Sequence, residues 1–251
     1  VSLSKWELDD ETLRFVTPWW QDEYRGLLDE FKHSFPIPAD FLVRLWNYGG
    51  FFMEDINIHR EELKVCQKHF DDWELLLIEQ EIPHVVRHQT LRNTTTVHHL
   101  YHLARWEQET GCDVRDLDTI VEWGGGFGSM ARLCMRRNPR LHYSIIDLPL
   151  MSEIQRHYLG IWDLDRRFSA YTPPEAALLQ GSLFISTWAL DESTAYAQGF
   201  AAAAFHYTPH WLIAQHPDKD IFPQSGNLNH VLPPDLQIVP TPFFESFYAF
   251  R

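Results

Sequence analysis

The sequence predicts an α/β fold on a mostly parallel sheet, preceded by an N-terminal helical region. Three observations predict it. Past Gly111, short β-branched runs alternate with helix-patterned stretches, the signature of a parallel sheet with crossover helices. A glycine-rich turn stands between the first of these strands and the helix after it. The last two strand candidates lie too close for a helix between them, so they should close the sheet as an antiparallel hairpin.

Each element follows from its local pattern. Residues 19–33 carry Trp20, Tyr24, Leu27, Leu28 and Phe31 at helical spacing. Pro38-Ala39-Asp40 opens a helix through Phe41, Leu42, Leu45 and Trp46, stopped by Gly49-Gly50. Residues 56–70 and 71–82 read as further helical pieces. Thr94-Thr95-Thr96 reads as a cap region for a helix over 97–110, which ends at Gly111. Strands are then expected at 119–123, 142–147, 168–171, 182–187, 211–215, 237–240 and 245–250. Helices are expected at 129–137, 150–159 and 193–207, the last holding the Ala201-Ala202-Ala203-Ala204 run. This divides the chain into a helical, aromatic-rich region over 1–110, on the substrate side, and a ligand-binding domain over 111–251.

The turn identifies the class of ligand. Val121-Glu122-Trp123-Gly124-Gly125-Gly126-Phe127-Gly128 joins a buried strand to a helix with an apolar face at Met130, Leu133 and Cys134. Glycines there permit positive φ and close approach of backbone to ligand. Read as the dinucleotide fingerprint from Gly124, the pattern puts Ser129 at the third glycine, a poor fit. The spacing that fits is Glu-x-Gly-x-Gly-x-Gly, at Glu122, Gly124, Gly126 and Gly128. The acid suits a cationic ligand better than a diphosphate. Asp147 ends the next strand candidate, 19 residues after Gly128. A carboxylate at that tip can accept both hydroxyls of a ribose.

These motifs resemble the class I S-adenosylmethionine-dependent methyltransferases. The resemblance implies a Rossmann-like, seven-stranded, mostly parallel sheet. It further implies S-adenosyl-L-methionine as cofactor and S-adenosyl-L-homocysteine as product. The cofactor contacts it implies are Glu122, Gly124, Gly125, Gly126, Gly128, Asp147, Leu148, Ser186 and Thr187. With Leu183-Phe184-Ile185-Ser186-Thr187-Trp188-Ala189-Leu190-Asp191-Glu192-Ser193 and the lead-in Leu100-Tyr101-His102-Leu103, residues 94–194 resemble the bacterial sugar O-methyltransferase family. That family implies a sugar or glycan acceptor in polysaccharide biosynthesis. One departure is Gln180-Gly181-Ser182, where methyltransferases often carry Asp before the fourth strand. Another small-molecule acceptor, or cofactor binding without turnover, are the alternatives.

Methyl transfer from a sulfonium depends mainly on positioning. A hydroxyl acceptor also needs a general base within hydrogen-bond reach. The end of the fourth strand faces the methyl group in this fold, which brings forward Ser186, Thr187, Trp188, Asp191 and Glu192. Glu192 occupies the position of the histidine in the acid–His pair of many such enzymes and is one candidate base. His216, after the fifth strand, is the other. His98 and His99 are placed to line the substrate side, after the polar stretch Arg87-His88-Gln89-Thr90. His98 and His102 have metal-ligand spacing without an evident third ligand, and the carboxylates of His216-Pro217-Asp218-Lys219-Asp220 lack a matching acid on the fourth strand, so no metal is expected. Trp19, Trp20, Trp46, Tyr48, Phe51 and Phe52 could form a sugar-stacking platform, although helix core is the favoured reading.

Composition removes other classes. A net charge of −14 excludes the basic footprint that nucleic acid or an anionic membrane surface demands. Cys66, Cys112 and Cys134 are widely separated, which fits a reducing cytoplasm rather than a disulfide framework. There is no run of about 18 apolar residues, hence no expected membrane insertion. The N-terminus lacks a signal-peptide core, and its start at Val1 suggests a processed or trimmed chain.

Overall fold

The apolar runs past Gly111 form one seven-stranded sheet in the order β3-β2-β1-β4-β5-β7-β6. The strands are β1 Thr119–Trp123, β2 His142–Ile146, β3 Phe168–Tyr171, β4 Leu183–Thr187, β5 His210–Gln215, β6 Gln237–Pro240 and β7 Phe247–Phe250. A computed structural model of the protein describes residues 5–46, 56–78, 94–216, 228–241 and 246–251. β1 to β5 run parallel, with Val121 opposite Ser144 on one side and Phe184 on the other. β7 is antiparallel to both β5 and β6, so the closing hairpin inserts its second strand beside β5. β6 is left as the edge strand, where Pro240 costs no ladder hydrogen bond in the sheet interior. This is the sheet expected of a class I methyltransferase fold.

Strand alternation sends side chains to two cores. Ile120, Tyr143, Ile145, Ile185 and Leu212 point to one face. Val121, Trp123, Ile146, Phe184 and Trp211 point to the other. The helices are α1 Asp10–Leu13, α2 Pro18–Phe31, α3 Phe41–Trp46, α4 Ile56–His69, α5 Trp73–Leu76, α6 Thr94–Thr110, α7 Ser129–Arg137, α8 Pro149–Ile161 and α9 Ala195–Ala204. α6, α7 and α8 cover the first face, and α9 packs Ala197 and Ala201 on the second. Small alanines let α9 approach closely, and Phe205 just beyond it stacks on Phe184 at 4.4 Å between ring centroids. Tyr24, Leu27, Phe31, Phe41 and Leu45 of the N-terminal helices join the same core as the first sheet face.

Two expectations shift. The threonine run is the first turn of α6 and not a cap before it. Thr95 and Thr96 are buried, and Thr96 Oγ1 lies 3.2 Å from Ser129 Oγ on α7. A polar contact between packed helices thus replaces the capping role. Of the helical piece at 71–82, α5 covers Trp73–Leu76, and positions past 78 lie outside the described residues, as does Arg87-His88-Gln89-Thr90.

The strand order reverses between β1 and β4, with the sheet growing through β2 on one side and β5 on the other. A doubly wound sheet opens a crevice at that switch point, beyond the carboxyl ends of its strands. That crevice holds the candidate site.

Candidate active site

A cavity of about 420 Å³ lies over the ends of β1, β2 and β4. This is within the range of small-molecule sites, about 300–1,000 Å³. Its floor is Glu122, Trp123, Gly124, Gly125, Gly126 and Phe127, and its rim includes Asp147, Leu148, Thr187 and Trp188.

The glycine turn takes its shape from two positions. Gly124 has φ +74°, and a Cβ there would sit 2.1 Å from Ala189 Cβ, so the β1 and β4 turns could not both keep their places. Gly126 has φ +53°, yet a Cβ there meets no atom within 4 Å. It lines the cavity, and the space beside it is a cradle that a side chain would fill.

Two acids face this cradle. Asp147 follows β2 and accepts from Leu148 N at 2.8 Å and from Gln155 Nε2 at 2.7 Å. Gln155 Nε2 also donates to Gly126 O at 2.9 Å, tying the acid to the turn. Burial pushes the Asp147 carboxyl up to about 7, against the hydrogen bonds that favour its ionised form. Glu122 lies beneath the turn and accepts from Tyr143 OH at 3.0 Å. Burial pushes it up to about 8, the Tyr143 bond opposes, and the nearby Asp147 adds to the rise. Among the described residues the cavity lining includes no Lys or Arg. A diphosphate would have no cation to meet here, whereas hydroxyls and a cationic centre would have two carboxyls.

Beyond the acids, the two rival bases meet. Asp191 Oδ2 accepts from His216 N at 2.8 Å and lies 3.2 Å from His216 Nδ1. An ionised Asp191 can only accept, so His216 Nδ1 donates to it and Nε2 is turned toward Glu192. Glu192 Oε1 stands 3.9 Å from that Nε2, too far for a direct hydrogen bond. The other oxygen of Glu192 accepts from Trp20 Nε1 at 2.8 Å, and Thr17 Oγ1 donates to its backbone carbonyl at 3.3 Å. Burial raises the Glu192 carboxyl above its ordinary value, with Asp191 adding to it and His216 and Trp20 opposing. The site therefore has one imidazole oriented by Asp191 and one buried carboxyl whose neutral form burial favours.

Most of the sequence-predicted residues come together. Glu122, Gly124, Gly125, Gly126, Asp147, Leu148, Thr187, Glu192 and His216 all line the cavity. Gly128 caps α7 with φ 99° and stands behind the turn. Ser186 is fully buried, donating to Trp123 O at 3.2 Å and accepting from Leu190 N at 2.9 Å; its hydroxyl ties β4 to β1. Sequence reasoning missed Gln155 and the roof of Phe15, Val16, Tyr24 and Leu27. Periodicity alone assigns Tyr24 and Leu27 to a helix core, and no pattern shows that one edge of that core borders a cavity.

Trp188 is the other surprise. It has φ +76°, a strained conformation for a bulky residue, of order 1–3 kcal/mol. The strain places its indole between His98, parallel within 3° at 6.2 Å, and His216 at 4.8 Å. His98 and His99 line the cavity as expected from sequence. Burial, then His98 and Arg132, push His99 down to about 3, so it is neutral. His102 lies deeper, beside Tyr248 OH, and burial followed by His98 and His99 lowers it too. Among the described residues no three His, Cys, Asp or Glu side chains are grouped to hold a metal ion. Nor does any described helix have the length and apolarity to cross a membrane.

No family model matches the chain, and no curated protein matches its sequence. Solved structures give remote likenesses. The MccD protein is 10% identical at a TM-score of 0.38, over 46% of this chain and 52% of its own length; the chain thus spans about half of that protein. PigF with SAH is 11% identical at 0.44, over 89% of this chain and 72% of PigF. SAH-bound methyltransferase PaMTH1 of Podospora anserina is 10% identical at 0.44, over 86% of this chain and 97% of PaMTH1. At these values the likenesses carry no functional weight, and the functional reading rests on the site's own geometry.

Proposed function

We propose that the protein is an S-adenosylmethionine-dependent O-methyltransferase acting on a hydroxyl of a small acceptor. The observation that carries this reading is a single cavity that joins the glycine turn and its two acids to the Asp191–His216–Glu192 cluster. The residues fit the cofactor: the Gly126 cradle gives backbone access, Asp147 offers oxygens to ribose hydroxyls, and Glu122 offers a carboxyl that a bound cation would favour in its ionised form. Bound there, S-adenosylmethionine would supply an electrophilic methyl group.

The chain's own residues do the rest. Asp191 holds His216 in the tautomer whose Nε2 can take the acceptor proton. Glu192 faces the same point and either shares that proton or orients the hydroxyl. Trp20 fixes Glu192, and the roof of Phe15, Tyr24 and Leu27 excludes water. A sugar or glycan acceptor, implied by the family resemblance, remains one candidate. Of the aromatic platform, Trp20 lines the cavity, Trp19 is exposed, and Tyr48, Phe51, Phe52 and the Trp46 side chain lie outside the described residues.

Calorimetry with S-adenosylmethionine, S-adenosylhomocysteine and NAD tests the cofactor. The first two should bind and NAD should not; NAD binding alone overturns the reading. Methyl transfer to a panel of sugars, nucleotide sugars and phenols tests turnover. Cofactor binding with no transfer to any of them favours a binding protein instead.

A further inference from the structure

Many side-chain donors in the cavity wall are already committed to the protein. Thr17 Oγ1 and Trp20 Nε1 donate to Glu192, Tyr24 OH to Trp6 O, and Ser193 Oγ to Ala189 O. His98 and His216 each turn Nδ1 to a carboxylate. His99 differs. It lines the cavity from α6, one helical turn after Thr95, which lines it too. Its Nδ1 is closed off from solvent and has no hydrogen-bond partner among the described residues. Nε2 is the ring nitrogen left to meet a ligand. The ring is neutral and so carries a single proton. An orphaned buried N–H is rarer in proteins than an orphaned buried acceptor. That places the lone pair on Nδ1 and the proton on Nε2, toward the cavity.

The surroundings of His99 suit an anion. Arg132 on α7 is fully buried, and a guanidinium keeps its charge. That charge reaches His99 and helps to push it down. Thr96 and Ser129 join α6 to the first turn of α7, so His99 lies on the helix packed against the one that the glycine turn opens. The acids Glu122 and Asp147 stand elsewhere, at the ends of β1 and β2. S-adenosylmethionine carries a carboxylate on its amino-acid arm. Among the described residues of the lining no Lys or Arg can take it, so a neutral donor must.

We propose that His99 is the carboxylate subsite of the cofactor pocket, its Nε2–H donating to the carboxylate on the amino-acid arm of S-adenosylmethionine. This rests on the methyltransferase reading for the identity of the ligand. An N–H donated to an ionised oxygen is among the stronger hydrogen bonds. A neutral imidazole supplies it without setting a second cation beside the ammonium of the same arm. His99 is the group that touches the cofactor, and Arg132 acts on the carboxylate through its field alone.

The test compares S-adenosylhomocysteine with decarboxylated S-adenosylhomocysteine, which keeps the ammonium and lacks only the carboxylate. By calorimetry, wild type should bind the first about tenfold more tightly, the scale of one hydrogen bond to a charged group. His99→Phe keeps a ring and removes the donor. It should weaken S-adenosylhomocysteine alone and so close the gap. His99→Gln, whose Nε2 can replace the donor, should restore part of it. In ¹⁵N-histidine spectra of the free wild type, His99 should be neutral with its proton on Nε2. That nitrogen should shift with S-adenosylhomocysteine and not with the decarboxylated ligand. Equal affinity of wild type for the two ligands overturns the inference, as does an unchanged gap in His99→Phe or a His99 signal that answers both alike. A His99 signal that moves only when phenol or methyl glucopyranoside is added gives the ring to the acceptor and overturns it too. Because the wild-type measurements need no variant, a poorly folding His99→Phe leaves the test intact. If neither ligand binds wild type, the cofactor reading falls and this inference with it. If both bind and the gap does not depend on His99, this inference falls alone.

Discussion

Replacing Gly124 with alanine tests the glycine turn most sharply. Two penalties apply. An L-residue at φ +74° pays about 1 kcal/mol for the left-handed region. The new methyl would stand 2.1 Å from Ala189 Cβ, and alanine has no rotamer through which to yield, so the β1 and β4 turns must separate. Overpacking of that kind costs about 2 kcal/mol. The sum, about 3 kcal/mol, lowers the thermal midpoint by about 6–12 °C for a domain of this size. Gly126→Ala is the control: its φ of +53° carries the first penalty, but its Cβ meets no atom within 4 Å. It should lose about 1 kcal/mol in stability and nonetheless bind S-adenosylhomocysteine poorly, because the methyl enters the cradle. Urea denaturation and calorimetry on both variants give the comparison. A Gly124→Ala protein as stable as wild type, or a Gly126→Ala protein with unchanged affinity, would refute the reasoning.

Further expectations follow from the site's charges. Asp147 and Glu122 are raised by burial to about 7 and about 8, so the folded protein holds protons there that the unfolded chain has lost. The ligand-free protein should therefore lose stability as pH rises from about 4 through 8. Thermal unfolding across that range checks it, and Asp147→Asn should flatten the slope. Asp191→Asn frees the His216 tautomer and should lower turnover on the order of 100-fold with cofactor affinity retained, measured by initial rates and calorimetry. Trp20→Phe removes a bond that lowers the Glu192 carboxyl. If Glu192 takes the proton, the acidic limb of the pH–rate profile should move to higher pH. Tyr24→Phe strands the buried Leu150 N–H and Trp6 carbonyl that the phenol joins, and should cost about 1–2 kcal/mol by urea denaturation.

The sheet was legible because each strand is a short apolar run bounded by glycine, proline or charge. Thr119–Trp123, Phe168–Tyr171 and Gln237–Pro240 fall where the sequence places them. The glycine-turn side of the cavity was equally readable, since it is built from a contiguous turn and an acid one helix and one strand further on. Ser186 does not line the cavity: side chains alternate at the strand end, and Ser186 turns toward Trp123 O while Thr187 faces the cavity. The long-range pairs were invisible. Trp20 meets Glu192 across 172 residues and Glu62 meets His98 across 36, and neither partner carries a local pattern that names the other. The positive φ of Trp188 was hidden too, because a tryptophan gives no sign of a left-handed backbone.

The most direct test of the central claim is a crystal structure with S-adenosylhomocysteine bound. The ribose hydroxyls should lie on Asp147, the backbone of Gly126 should border the ligand, and the sulfur should face the gap between His216 and Glu192. A ligand seated elsewhere, or one whose sulfur points away from that gap, would contradict it.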